Sequence, residues 1–436
     1  MQNRRQFLES VGLPVTAATA ALAWGNAASA RTLDVLASLA GVPGTPEEIA
    51  ADESFWFDAQ EAFTVDRSIL NLNNGGVCPA PAIVQAAMKR YLDQSNTAPA
   101  YVLWQLLEPQ KETVRTRLAR FFGCSPEEVA ITRNASEGLQ ICQSGFDLKR
   151  GDEVLTTNQD YPRMITTWRQ RERREGVVMK QFSIPVPCED PATIVGRFEE
   201  NISPKTRLIL MCHVINLTGQ ILPVREVVAM ARKRGIPVIV DGAHAFAHLV
   251  YDRDALDCDY YATSLHKWLM APHGTGMLYV RREKVKDLWP LQASGPELDD
   301  NIRKFEEVGT HPAANALAIS EALTFHLGIG PKRKEARLRY LRNYWAKRLL
   351  SSDRVSLLTS LKPEFSGGIG NFRVEGLECG ALGQYLWNKH RILVTPIKHP
   401  EFEGIRVTPN VYTTLDELDR FGDAVLAAIR DGLPKA

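Results

Sequence analysis

Residues 237–280 read PVIVDGAHAFAHLVYDRDALDCDYYATSLHKWLMAPHGTGMLYV. Three short runs in this segment, PVIV (237–240), CDYYAT (258–263) and GMLYV (276–280), are β-branched or aromatic over most of their length. That is the pattern of strands covered on both faces of a largely parallel sheet. Further upstream, RLILMCHV (207–214), VVMKQF (177–182), EVLTT (153–157) and VAIT (129–132) read the same way. Helical patterns lie between them, such as YPRMITTWRQRERREG (161–176) and PVREVVAMARKRG (223–235), the latter closed by Gly235 ahead of Pro237. This alternation predicts an α/β sheet flanked by helices, with functional residues at the carboxyl ends of its strands.

After residue 310 the pattern changes. Two helical stretches (316–330 and 332–351) lead to NFRVEG (371–376), a helix around GALGQYLWNKH (380–390), IRVTP (405–409) and a terminal helix over 415–432. The expected organisation is an N-terminal arm over 31–75 that wraps the surface, a large domain over 76–315 and a smaller α+β domain over 316–436. Composition fits such a body: 436 residues, 44% hydrophobic and 24% charged, with 52 basic against 51 acidic residues. These values exclude a disordered or collagen-like chain, and the balanced charge gives no footprint for nucleic acid. The seven cysteines are widely spaced with no C-x-x-C, so neither a disulfide framework nor a metal site is expected.

The first thirty residues, MQNRRQFLESVGLPVTAATAALAWGNAASA, read as an address. Arg4 and Arg5 precede Phe7 and Leu8, the following run is mildly apolar and uncharged, and Ala28-Ser29-Ala30 is an A-x-A cleavage signature. The segment resembles a twin-arginine export signal. The expectation is transport of a folded, cofactor-loaded protein by the twin-arginine machinery to the periplasm or beyond. A frayed helix or a membrane anchor is the alternative.

Four places carry candidate chemistry. Asp241 ends a buried strand, where a carboxylate needs a cationic or hydrogen-bonding partner, although an Asp here also suits a helix cap. Lys267 follows Ser264 and His266 in an apolar setting that can depress an amine pKa and make it a Schiff-base lysine; an isolated lysine of this kind could equally snorkel to the surface. Ala135 and Ser136 open a helix after strand 129–132, an anion site or an ordinary cap. Asn216 follows strand 207–214, where a buried amide requires a partner. A phosphate, a carbonyl for Lys267 and a ring nitrogen for Asp241 together specify pyridoxal 5′-phosphate.

With the D-G-A-H and S-L-H-K-W motifs in this order, the chain resembles the aminotransferase class-V enzymes of PLP-dependent fold type I, and within them the isopenicillin N epimerase-like group. The resemblance runs from NLNNGG (71–76) to the C-terminal helix. It implies a mixed, mostly parallel sheet in the large domain. It also implies Lys267 as the Schiff-base lysine and carrier of the Cα proton, Asp241 as partner of the pyridinium nitrogen, and His244 with Asn216 near the ring oxygen. Tyr161 would stack on the ring, and Ala135, Ser136, Ser264 and His266 would form the phosphate cup. Thr310 would reach the phosphate of a neighbouring subunit, implying a homodimer with shared sites. Arg406 would clamp the substrate carboxylate, and Asn74 and Gly75 would line the pocket.

The implied activity is epimerisation or transamination at the Cα of an amino acid or amino-acid-bearing metabolite, with Tyr161 a candidate second acid. A lyase or oxidative decarboxylase tailoring a peptide or siderophore side chain is the alternative. A cysteine desulfurase is disfavoured because residues 392–404 hold no cysteine; Thr395, Lys398 and His399 occupy that loop and are candidates to read the distal substrate. A non-catalytic binding protein would require none of Lys267, Asp241 and Arg406.

Overall fold

The computed structural model describes residues 35–36, 39 and 41–433. The export signal expected over 1–30 lies outside the described residues. Seven strands form the central sheet: β1 (Val129–Thr132), β2 (Glu153–Thr157), β3 (Val178–Phe182), β4 (Thr206–Cys212), β5 (Val238–Asp241), β6 (Tyr260–Ser264) and β7 (Gly276–Val280). They lie in the order β1-β7-β6-β5-β4-β2-β3. Only β7 runs against its neighbours, so the sheet is mixed and mostly parallel, as expected.

The pleat explains why the strands read as continuous apolar runs. Ile209, Met211, Val238 and Val240 point to one face, where they pack with Leu118, Phe122, Phe198 and Val227. Leu208, Leu210 and Ile239 point to the other, against Leu139, Met164 and Trp168. Helices therefore cover both faces, and neither needs polar residues. The helix Ile319–Ile329, grouped above with the C-terminal domain, packs into the first of these cores through Ile319, Ala322 and Leu323.

The second unit is an antiparallel sheet of β8 (Val355–Leu357), β9 (Gly370–Val374), β10 (Thr395–Lys398) and β11 (Glu403–Val407), in the order β10-β11-β9-β8. It packs on helices Pro331–Leu349, Cys379–His390 and Leu415–Asp431 around buried Trp345, whose ring lies 5.7 Å from Phe372 and 5.9 Å from Phe421. The arm does more than wrap the surface. Phe55 and Trp56 are buried in a core with Phe325, and Leu70–Asn71 pairs in parallel with Ile392–Leu393. The Asn73–Thr408 bridge extends that pairing, so residues 70–74 reach the cavity along the edge of the second unit.

Because Trp345 supports the sheet that carries Arg406, Trp345→Ala should cost about 3–5 kcal/mol. A urea titration should show this as a lower midpoint, whereas an unchanged midpoint would mean that the indole is not part of this core.

Candidate active site

The carboxyl ends of β1, β4, β5 and β6 open on a cavity of about 540 Å³. It is lined by Lys267, Asp241, Tyr161, His244, Asn216, Ala135, Ser136, Ser264, His266, Arg406 and Gly75, so most residues singled out in the sequence converge on one space. Asn74 and Thr310 are not among its lining residues in this chain. Cys212 and Arg163 line it without having been foreseen.

Lys267 Nζ lies 3.1 Å from His244 Nε2. Burial lowers the amine to about 8, with Asp241 opposing and Arg406 adding to the shift. Burial and the nearby Lys267 hold His244 neutral. Nε2 then accepts from the ammonium, and Nδ1 is left buried without a partner. Asn216 Oδ1 is likewise buried and unpartnered. Burial raises the Asp241 carboxyl to about 6, although one oxygen accepts from the Ala243 N–H at 2.9 Å.

His248 supports this group, and the sequence reading missed it. Its Nδ1 donates to the His244 carbonyl at 2.7 Å, its Nε2 accepts from the Gly368 N–H at 2.6 Å, and its ring stacks on Trp268 at 3.8 Å. The signal was in the quoted segment, where His244 and His248 stand four residues apart. Asp160 was also missed. Buried at the end of the β2 turn, it accepts from both threonine hydroxyls of Thr156–Thr157, the Thr157 N–H and the Cys212 N–H, tying β2 to the end of β4. Nothing local in NQDYP announces so distant a partner as Cys212.

At the other end of the cavity, Asn134 caps helix Ala135–Gly145 by accepting from the Glu137 N–H, and Ser264 Oγ accepts from the Ala135 N–H at 3.0 Å. His266 Nδ1 donates to the Thr275 carbonyl at 3.0 Å. Gly276 has a definite reason to be glycine: a Cβ there would lie 2.6 Å from the Asn134 backbone and push the helix start out of place.

Arg406, on β11, is 6% exposed and has no carboxylate partner among the described residues. Nη1 donates to the Asn216 carbonyl at 3.0 Å and Nη2 to Asn73 Oδ1 at 2.7 Å, while Nε is buried and unpartnered. Burial lowers it to about 10, leaving a desolvated cation that lacks an anion. The neighbouring asparagine therefore needs correcting. Asn74, expected to line the pocket, is fully buried and committed to the Asn71 and Thr408 carbonyls and to Tyr412, so it braces the wall while Asn73 touches the arginine. Gly75 lines the cavity as expected, its N–H donating to Thr408 Oγ1 at 2.9 Å. Thr310 is exposed beside a separate hollow that holds Arg115 and Glu306.

The loop between β10 and β11 is pinned. His399 Nε2 donates to the Asn158 carbonyl at 3.0 Å, and Glu401 accepts from Asn158 Nδ2 at 2.8 Å and Ser183 Oγ at 2.7 Å. Lys398, expected to face the substrate, instead pairs with Glu378 at 2.7 Å, whereas Thr395 Oγ1 contacts Arg406. None of Cys78, Cys212 and Cys379 is poised for attack, and burial pushes the Cys78 thiol, beside Lys267, up to about 12. Burial and the Asp160 and Asp241 carboxylates keep the Cys212 thiol protonated, and Cys379 is buried at a helix start with its thiol also raised.

The chain belongs to the aminotransferase class-V family, whose profile matches residues 70–419. It is 32% identical over 389 residues to isopenicillin N epimerase of Streptomyces clavuligerus, covering 85% of this chain and 97% of that one. The isopenicillin N epimerase of Amycolatopsis lactamdurans is also 32% identical, over 391 residues, covering 85% and 98%. The probable cysteine desulfurase 2 of Mycobacterium leprae is 25% identical over 413 residues, covering 88% and 97%. Among solved structures, an apo cysteine desulfurase from Thermococcus onnurineus superposes with a TM-score of 0.76 at 22% identity, covering 86% of this chain and 98% of that one. That likeness establishes the fold, PLP-dependent fold type I.

The pyridoxal 5′-phosphate dependence read from the sequence agrees with that membership, and the residues present fit the cofactor. The orphaned Asn216 Oδ1 and His244 Nδ1, the buried Asp241 carboxyl and the helix start beside Ser264 are each a partner that such a group would satisfy. In cofactor-free protein, condensation of Lys267 with an added aldehyde should accelerate as pH rises through about 8, where the amine loses its proton, rather than through the range above 10 of a hydrated lysine. Lys267→Ala should abolish the visible absorbance of the loaded protein; a retained band would remove Lys267 from this role.

Proposed function

We propose that this chain is a pyridoxal 5′-phosphate enzyme acting at the Cα of an amino acid or amino-acid-bearing metabolite, by epimerisation in the manner of its isopenicillin N epimerase relatives or by transamination. The observation that carries this reading is the unpaired, buried Arg406 in the same cavity as the desolvated amine of Lys267. A free α-carboxylate is the anion that a bidentate guanidinium at that depth suits.

When bound, pyridoxal 5′-phosphate supplies an aldehyde for the substrate amine and an electron sink for charge at Cα. Lys267, about 8 in this cavity, is partly unprotonated near neutrality and takes the proton from Cα. His244 Nε2 receives the hydrogen bond that orients the lysine Nζ. Asp241, held at the end of β5 by the Ala243 N–H, keeps a proton on the ring nitrogen. Tyr161, on the turn that follows β2, is the candidate donor for return of a proton from the other face, the step that distinguishes epimerisation.

The desulfurase reading lacks a nucleophile, because the pinned loop carries none and the nearby thiols are buried and protonated. Tailoring by elimination or oxidative decarboxylation shares the first steps and is the second reading. Export by the twin-arginine route and a homodimer in which Thr310 serves the neighbouring site complete the proposal. The exposed position of Thr310, away from its own chain's cavity, supports the latter.

The deciding experiment mixes candidate L-amino acids with loaded protein in deuterated buffer and follows absorbance and Cα–H exchange together. Exchange with the visible band retained supports epimerisation; loss of the band with release of a keto acid supports transamination. If every small amino acid is silent while a peptide-like metabolite loses a side group, the tailoring reading stands instead. Arg406→Ala should weaken substrates and inhibitors with a free α-carboxylate by about tenfold or more, a charge-assisted bidentate contact having been lost. Unchanged affinity for carboxylate inhibitors would overturn the clamp assignment.

A further inference from the structure

Three cations line the cavity: Lys267, Arg406 and Arg163. On the reading above, the first two serve the substrate amine and its carboxylate. The phosphate end then lacks a positive charge. Ser136, Ser264 and the backbone N–H groups are neutral donors, and burial holds His266 down to about 4, with Nδ1 already committed to the Thr275 carbonyl. Arg133, next to the helix start, is taken up by Glu137 through Nε and Nη2. A phosphate monoester carries about −1.5 to −2 near neutrality, and seating it against neutral donors alone leaves that charge uncompensated at its own end of the cavity.

Arg163 is the second residue of helix Pro162–Glu175, as Ser136 is of helix Ala135–Gly145. The two helices leave the same edge of the sheet, after parallel strands β2 and β1. They touch through Gln140 Nε2 and Thr167 Oγ1 at 3.2 Å, residues at equivalent depths along their helices. That register sets Arg163 level with Ser136. The exposed Arg163 side chain forms no hydrogen bond or ion pair among the described residues, only its backbone carbonyl accepting from Thr167 Oγ1 at 3.1 Å, and the first turn of its helix holds no acid. A cation there opposes the helix dipole, so stability alone does not explain it. A phosphate beside it would reverse that balance.

We propose that Arg163 supplies the positive charge that holds the cofactor phosphate, completing a cup whose other donors are neutral. This rests on the pyridoxal 5′-phosphate reading of the site. The test titrates pyridoxal 5′-phosphate and phosphate-free pyridoxal into wild-type protein and into Arg163→Met and Arg163→Lys, following absorbance at two salt concentrations. Arg163→Met should weaken pyridoxal 5′-phosphate about tenfold, leave pyridoxal unchanged and flatten the salt dependence, and Arg163→Lys should recover most of the loss. Undiminished affinity of Arg163→Met for pyridoxal 5′-phosphate would overturn the proposal and direct Arg163 to a distal anionic group of the substrate. Equal loss for both ligands would also overturn it, as the mark of a purely structural role. A wild-type protein that binds neither compound would instead sink the cofactor reading on which the proposal rests.

Discussion

Keeping a lysine amine out of water weakens its hold on a proton, and the polar groups around the cavity are arranged within that constraint. The amine of Lys267 is desolvated by the apolar ends of the strands around it and held against His244. Removing water from one charge raises the cost of every other charge nearby, so the remaining ionic groups are few and each is tethered. Asp241 is held by a backbone N–H, Arg406 by a carbonyl and an amide oxygen, and His244 and His248 stay neutral. The sheet supplies the dry setting because its central strands are covered on both faces, and its carboxyl ends carry the polar groups of the cavity.

Much of this was legible in the sequence. All seven strands of the large sheet were found from apolar runs, because burial on both faces leaves an unbroken signature; the errors lie at strand ends, such as 207–214 against an observed end at Cys212. The antiparallel turn of β7 was not readable, since a strand shows its burial and not its direction. The places of Asp241 and Lys267 were visible because each sits in a motif at a strand end, and that of Arg406 came from the family resemblance. Asp160 and Asn73 were not, because their roles depend on partners far away in sequence, Cys212 for one and Arg406 for the other. Asn74 was misread for a related reason: adjacent asparagines face opposite ways on an extended segment, and only the pairing with residues 392–393 and 408 fixes which one meets the cavity.

The relatives carry two names, isopenicillin N epimerase and cysteine desulfurase, and one scaffold serves both. In this chain the loop between β10 and β11 carries no sulfur and is joined to the ends of β2 and β3 by a carboxylate and an imidazole.

Glu401 and His399 fasten that loop of the second unit to Asn158 and Ser183, which follow β2 and β3 of the central sheet. The two sheets are thereby sutured at their polar edges, so freeing this loop would break contacts on both units at once.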